Sequence, residues 1–218
     1  MVKKDSYQPS TRVAQKRRRA RREIIDSAQT ILAQSGHDGV TLGSVAGQLG
    51  MTKQSLYHYF PSKEALDQAL VTALLDAEIE SLLKALNGRR ASKKVLGTLI
   101  QGFYSHYSGN LDAFRTIYCR SQLYSTVDTK LDELTLRDEI HPRTRRLFDA
   151  LEDRLSGPDA GKAKRRRARQ LAFSAWTSAL GLMTMLSVAS ANNDPIAQSE
   201  KALLKVLSDV FDAAAAGL

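Results

Sequence analysis

Apolar positions recur at helical spacing along the whole chain, and no segment shows the strict alternation between turn signals that marks a strand. Ile24, Ile25, Ala28, Ile31 and Leu32 form one stripe, and Gly36 with Gly39 follows it as terminating glycines do, which predicts a first helix over Lys16–Ser35. Thr41 is placed to cap a second, short helix whose Leu42, Val45, Ala46 and Leu49 are apolar and which Gly50 stops. Thr52 is placed to cap a third, Lys53–Tyr59. In it Leu56 and Phe60 point inward at i, i+4, while Lys53, Gln54, Ser55 and Tyr57 cannot all be buried. Pro61 ends that helix and Ser62 caps a fourth, Lys63–Leu86, with Leu66, Leu70, Leu74, Leu75, Ile79, Leu82 and Leu86 on its inner side.

Further helices are predicted near Ser92–Tyr107, Leu111–Tyr124, Val127–Leu155, Ala163–Ala191 and Pro195–Ala215. Ser92 and Asn110 serve as caps, Gly157-Pro158 breaks the chain, Asp194 caps the turn that opens at Pro195, and Pro142 kinks or splits the helix that contains it. The fold class is therefore all-α, about nine helices, with a small N-terminal three-helix unit followed by a larger helical domain. Residues 1–15 are expected to form a flexible basic arm, 16–62 the small unit, and 63–218 the larger domain.

Charge sharpens this picture. The net charge is +9, and residues 1–60 hold ten cations against four acids, whereas the remaining residues are nearly balanced at 22 against 19. From Arg12 to Arg22 there are seven cations and no acid, the electrostatic footprint of a surface that meets a polyanion. The single cysteine, Cys119, excludes an intrachain disulfide and a thiolate zinc site, and favours a reducing cytoplasm. No apolar stretch follows the basic N-terminus, so no secretory signal is expected. The uncharged segment Leu171–Asn192 has the length of a membrane span, but its serines, threonines and alanines suit a buried helix of a bundle better.

Helices two and three with the Gly50-Met51 turn make a helix-turn-helix, in which a second helix enters the major groove and a first braces it. Ala46 is small at the helix crossing, Gly50 permits the turn, and Leu56 and Phe60 anchor the reading helix. The run TLGSVAGQLGMTKQSLYHYFPSKEAL, from Thr41 to Leu66, resembles the DNA-binding domain of the tetracycline repressor (TetR) family of bacterial transcription regulators. Leu56-Tyr57-His58-Tyr59-Phe60 followed by Pro61-Ser62-Lys63-Glu64-Ala65-Leu66 is the part most like that family's signature, and the motif covers about the first third of the chain. The resemblance implies that Lys53, Gln54, Ser55, Tyr57 and Tyr59 face base edges, and that Thr41, Thr52, His58 and Lys63 touch phosphates. Gln54 suits adenine, and Lys53 suits guanine. Gly43 and Ser44 stand where some members carry a long basic side chain, which leaves helix two a positioning role.

Each assignment has a plainer counterpart. Tyr57 and Tyr59 also suit a core, and the basic run containing Arg17, Arg18 and Arg19 reads either as phosphate contacts or as a solvated helix start. The second basic cluster, Lys162–Arg169, reads as a solvated first turn. An effector pocket, implied by the resemblance, is expected among Phe103, Tyr104, His106, Tyr107, Tyr118, Trp176 and Met183, whose spacing also fits simple packing. A homodimer through a four-helix bundle is expected from the stripes containing Leu171, Ala175, Leu182, Leu186, Leu203, Leu207 and Val210. The partners are thus duplex DNA with a pseudo-palindromic operator, a second copy and a small-molecule effector, without a membrane. No cofactor, metal or enzymatic motif is expected, and Asp138, Glu139 and His141 read as a solvated face rather than a cation site. The sequence points to a cytoplasmic repressor; a sequence-blind architectural DNA-binding protein is the alternative.

Overall fold

A computed structural model describes residues 11–88, 94–119 and 136–218. Nine α-helices are present among these residues: α1 (Thr11–Gly39), α2 (Leu42–Gln48), α3 (Lys53–Tyr57), α4 (Lys63–Leu86), α5 (Val95–Tyr107), α6 (Leu111–Phe114), α7 (His141–Ser156), α8 (Lys162–Ala191) and α9 (Glu200–Ala216). The turns Arg115–Cys119 and Leu136–Ile140 are π-helical and Pro195–Ser199 is 3-10. No strand occurs among the described residues, so the chain is all-α. The chain divides into two compact units, residues 1–73 and 74–218, with the division falling inside α4.

In the first unit Ile24, Ala28, Leu32, Val40, Val45, Leu56, Phe60, Leu66 and Leu70 are buried together, the apolar stripes of four helices closing on one small core. Helix α1 starts at Thr11, five residues before the expected start, so residues 11–15 belong to a helix and not to a flexible arm. Nothing in this segment breaks a helix, and the chain bends only at Gly36, whose φ of +67° is left-handed. Thr41 makes a capping box: its hydroxyl accepts from the Ser44 amide while the Ser44 hydroxyl accepts from the Thr41 amide. Helix α4 has the bounds expected from its stripe, and the Ser62 hydroxyl accepts from the Ala65 amide at its start.

In the second unit α5 packs on α8 and α9, and α7 packs on α8. Two polar ladders give the directions of these helices. Arg143 reaches Asp76, Arg146 reaches Glu80 and Arg154 reaches Asn87, an almost constant offset, so α7 runs parallel to the second half of α4. Arg165 reaches Asp153 and Arg169 reaches Asp149, so α8 runs antiparallel to α7. The cluster Lys162–Arg169 is therefore only in part a solvated turn; two of its arginines staple α8 to α7, a pairing that needs knowledge of which helix lies beside it. Pro142 sits in the first turn of α7, where its missing amide is harmless, so it opens a helix and does not kink one. The expected cap Ser92 and the stretches around Tyr124 and Val127 lie outside the described residues. Helix α8 is long and apolar enough to cross a membrane. Its Ala168, Ala172, Ala175, Ala179, Met183 and Leu186 nevertheless form a buried stripe, the use of small residues expected from a helix packed in protein.

Gly47 and Gly50 have open space where a β-carbon would stand, and they differ in backbone: Gly47 lies within α2, while Gly50 has φ +62°. Gly47→Ala is expected to stabilise the chain by about 0.5–1 kcal/mol and Gly50→Ala to cost about 1 kcal/mol or more, read by urea denaturation. Shifts of the same sign would contradict the left-handed turn between α2 and α3.

Candidate nucleic-acid interface

Helix α3 has five residues, too few to persist alone in water, so its neighbours must hold it. Its N-terminus is fixed by Thr52, whose hydroxyl accepts from the Ser55 amide at 3.1 Å. The turn before it closes through the Met51 amide on the Ala46 carbonyl at 2.9 Å. Leu56 and Phe60 are fully buried on the inner side. Its C-terminal end is held from α1: Arg21 donates to the Tyr59 carbonyl at 2.5 Å, and its guanidinium lies 4.2 Å from the Phe60 ring centre. Arg17 donates to the His58 carbonyl at 3.5 Å. Cations at free helix-terminal carbonyls meet the negative end of the helix dipole, and the Phe60 face adds a cation–π contact. Burial, and then the charge of Arg17, lower the Arg21 pKa.

This clamp leaves one side of α3 in solvent. Lys53, Gln54, Tyr57 and His58 are exposed, Tyr57 by 40%, whereas Ser55 and Tyr59 are half-buried. Ser55 also has its amide and hydroxyl engaged by Thr52. Thr41 and Thr52 are exposed beside the helix starts that they cap. Lys63 is half-buried and paired with Asp67, which His37 also approaches, with Nε2 3.3 Å from Oδ1. Burial pushes the Asp67 carboxyl up, but the hydrogen bonds from His37 and Lys63 outweigh it and hold the pKa below the usual value.

The basic run thus splits by role. Arg17 and Arg21 turn toward α3, and Arg19 pairs with Glu23 at 3.0 Å. Arg12, Arg18 and Arg22 are exposed, with no acidic partner among the described residues. The pairing of Arg21 with a carbonyl 38 residues away has no local signal in the sequence.

The second unit contains a polar centre that the sequence reading passed over. Glu78 is buried on α4, and the hydroxyls of Tyr107 and Tyr118 both donate to its Oε2, the latter at 2.6 Å. The Trp176 indole further favours the charged form of this carboxyl. Phe103 and Phe114 pack edge-on around the two tyrosines. Burial raises the Glu78 pKa, opposed by Tyr107, Tyr118 and Trp176. Burial and the Glu78 carboxylate together push both tyrosines far above their ordinary value. A signal was available: Leu74, Glu78 and Leu82 are spaced i, i+4, i+8, which places an acid within an inward-facing stripe.

The residues expected to line an effector pocket therefore separate. Phe103, Tyr107, Tyr118 and Trp176 gather around Glu78, and Met183 is buried on α8. Tyr104 is turned toward Glu200; burial and that carboxylate push its pKa up to about 12. His106 lies edge-on to Tyr107, and burial lowers its pKa. Of the residues expected at a dimer interface, Ala175 and Leu186 are already covered within the chain, Leu171, Leu182, Leu203 and Leu207 are half-buried, and Val210 is exposed. In the second unit the large apolar side chains open to solvent are Phe173, Met185 and Val188 on α8, Ile196 in the 3-10 turn, and Val206 and Val210 on α9. Asp138 pairs with Arg137, and Glu139 with Arg143.

A short helix clamped at both ends, with one polar side left free, has the geometry that base-edge readout requires, and known proteins share it. Residues 24–70 match the model of bacterial regulatory proteins of the tetR family. Over these residues the chain is similar to that family. An uncharacterized HTH-type transcriptional regulator, Rv0681 of Mycobacterium tuberculosis, is 31% identical over 104 residues, 47% of this chain and 48% of that protein. The negative transcriptional regulator IcaR of the biofilm operon icaADBC in Staphylococcus aureus is 37% identical over 54 residues, 25% of this chain and 29% of that protein. The chain thus spans about half the length of these curated relatives or less. Among solved structures, a protein of unknown function from Rhodococcus sp. RHA1 shares the fold with a TM-score of 0.64 and 14% identity, covering 97% of this chain and 98% of that one. A TetR variant from Acinetobacter baumannii AYE, in complex with minocycline, has a TM-score of 0.57 and 18% identity, covering 89% and 93%.

A carboxyl whose folded pKa is raised adds stability that is full below its unfolded value and is lost as pH rises through the folded one. Glu78→Gln keeps an oxygen acceptor for both hydroxyls and removes that loss. The stability of the variant relative to the parent chain is therefore expected to increase as pH rises above the ordinary glutamate range, in denaturation experiments. Glu78→Ala orphans the donors and is expected to cost about 2 kcal/mol or more. A pH-independent difference for Glu78→Gln would contradict the raised pKa.

Proposed function

We propose that the protein is a homodimeric, sequence-specific transcriptional repressor that binds a pseudo-palindromic operator through α3 and leaves it when a small molecule binds the second unit. The observation that carries this reading is the clamped α3, with Leu56 and Phe60 buried and Lys53, Gln54 and Tyr57 free on the opposite side. A rigid helix with amide, ammonium and phenol groups on its open face has what base-edge readout requires. Lys53, Gln54 and Tyr57 act on bases, with Ser55 and Tyr59 at the margin because they are partly covered. Thr41, Thr52, His58, Arg12, Arg18 and Arg22 face phosphates, while Arg17, Arg19 and Lys63 have a second task in holding helices. Helix α4 carries Lys63 in the first unit and Glu78 in the second, because the division between the units falls at residues 73–74.

The names of related proteins support this reading: IcaR is a negative transcriptional regulator, and FadR of Bacillus subtilis, solved in complex with stearoyl-CoA, has a TM-score of 0.52 and 20% identity over 86% of this chain. Regulators of this kind work in the cytoplasm and need no enzymatic chemistry. Dimerisation fits the uncovered apolar stripe on α8 and α9, since exposed apolar patches of this kind mark association surfaces.

Triple replacement of Lys53, Gln54 and Tyr57 by alanine is expected to abolish the preference for the region upstream of the protein's own gene over random duplex, read by electrophoretic retention at fixed salt, while residual salt-sensitive binding persists. Unchanged preference would instead support sequence-blind architectural binding through the arginines. Replacing Val206 and Val210 by aspartate is expected to convert a dimer into monomers in sedimentation; a parent chain that is monomeric at micromolar concentration contradicts the two-fold arrangement.

A further inference from the structure

A groove of about 630 Å³ lies between α7 and α8, within the size range of small-molecule sites. Its apolar wall is made by Phe148, Phe173 and Trp176, whose ring centres are 5.6–6.0 Å apart in every pairing. Phe173 is 54% exposed, an unfavourable placement for a phenyl ring unless something covers it. The polar rim contains Arg145 and Arg166.

Most other arginines of these two helices are occupied: Arg143 and Arg146 reach α4, Arg154 reaches Asn87 at its end, and Arg165 and Arg169 reach the acids of α7, while Arg167 is exposed but does not line this groove. Arg145 and Arg166 have no acidic partner among the described residues, and both line this one groove. Two unpaired guanidinium groups above an aromatic wall suit a planar anion, because guanidinium binds carboxylate or sulfonate oxygens in a fork and the rings stack on a flat body.

We propose that this groove binds a small organic anion with a flat aromatic body, its head group held by Arg145 and Arg166 and its ring laid against Phe148, Phe173 and Trp176. This deepens, and rests on, the reading of the second unit as effector-binding. A second copy of the chain is a poorer occupant, because the acids beside the apolar stripe it would offer are already engaged, Asp209 by Lys94 and Lys205 and Asp212 by the Gly97 amide. The groove also touches the polar centre. Trp176 lines the groove and lies 6.0 Å from the ring of Tyr118, whose hydroxyl donates to Glu78 on α4. An occupant that turns Trp176 thus acts on the carboxyl that α4 carries.

The chain has a single tryptophan, Trp176, so the site reports on its own occupation. The full-length protein is titrated with 1-anilinonaphthalene-8-sulfonate, and energy transfer from Trp176 to the dye is followed. One saturable site per chain is expected, with affinity falling about tenfold or more in the Arg145→Ala/Arg166→Ala double variant and falling with added salt. N-phenyl-1-naphthylamine, the same body without the sulfonate, is expected to bind more weakly and with equal affinity to both proteins. Equal binding of the charged dye to parent and variant, or bound dye that leaves Trp176 emission unquenched, would overturn the proposal. Quenching that appears only when the protein is diluted to monomers would also overturn it, by assigning the groove to a second copy. The titration contains no DNA, so its failure would remove the groove ligand without touching the operator reading, and failure of operator retention would leave the titration result standing.

Discussion

The constraint on which the functional reading depends is that a helix of five residues cannot supply its own stability. Nucleating a turn costs more than so few hydrogen bonds return, so the conformation of α3 is imposed from outside. Thr52 satisfies one end, Arg17 and Arg21 satisfy the other, and Leu56 and Phe60 tie the middle to the core. Every one of these attachments lies on the inner side or at the ends. The outer side is thereby left rigid and unused, the condition under which Lys53, Gln54 and Tyr57 can meet base edges without further ordering cost. Cations that sequence logic sends to phosphate are, in the case of Arg17 and Arg21, part of the scaffold.

The second unit answers a different problem, that of a carboxyl placed inside a packed bundle. Glu78 would be prohibitively costly there without partners; two hydroxyls meet it from α5 and the π-turn after α6, and the Trp176 indole of α8 further favours its charged form. Three separate elements thus act on one atom group of α4. Such a centre is sensitive by construction: displacing any donor exposes the cost of the others. That makes it a reasonable place for a ligand to act, and Trp176, shared between the centre and the α7–α8 groove, provides the shortest route.

Much of the architecture was legible in the sequence because it rests on local rules. The bounds of α4, the caps Thr41, Thr52, Ser62 and Asp194, and the inward Leu56 and Phe60 follow from spacing and side-chain chemistry alone. Most of the misses share a cause, which is partnership between distant segments. The start of α1 at Thr11 had a local signal in the Ser10-Thr11 pair that was passed over, whereas the tie of Arg21 to Tyr59 and the staples from Arg165 and Arg169 to α7 depend on which helices become neighbours. Glu78 is another exception, since its position between Leu74 and Leu82 announced a buried acid on the apolar stripe.

Nuclear magnetic resonance on the protein bound to duplex from its own upstream region tests the central claim most directly. Intermolecular Overhauser contacts from Lys53, Gln54 and Tyr57 to major-groove base protons are the expected result. Contacts confined to the sugar–phosphate backbone, with the α3 side chains unperturbed, would contradict it.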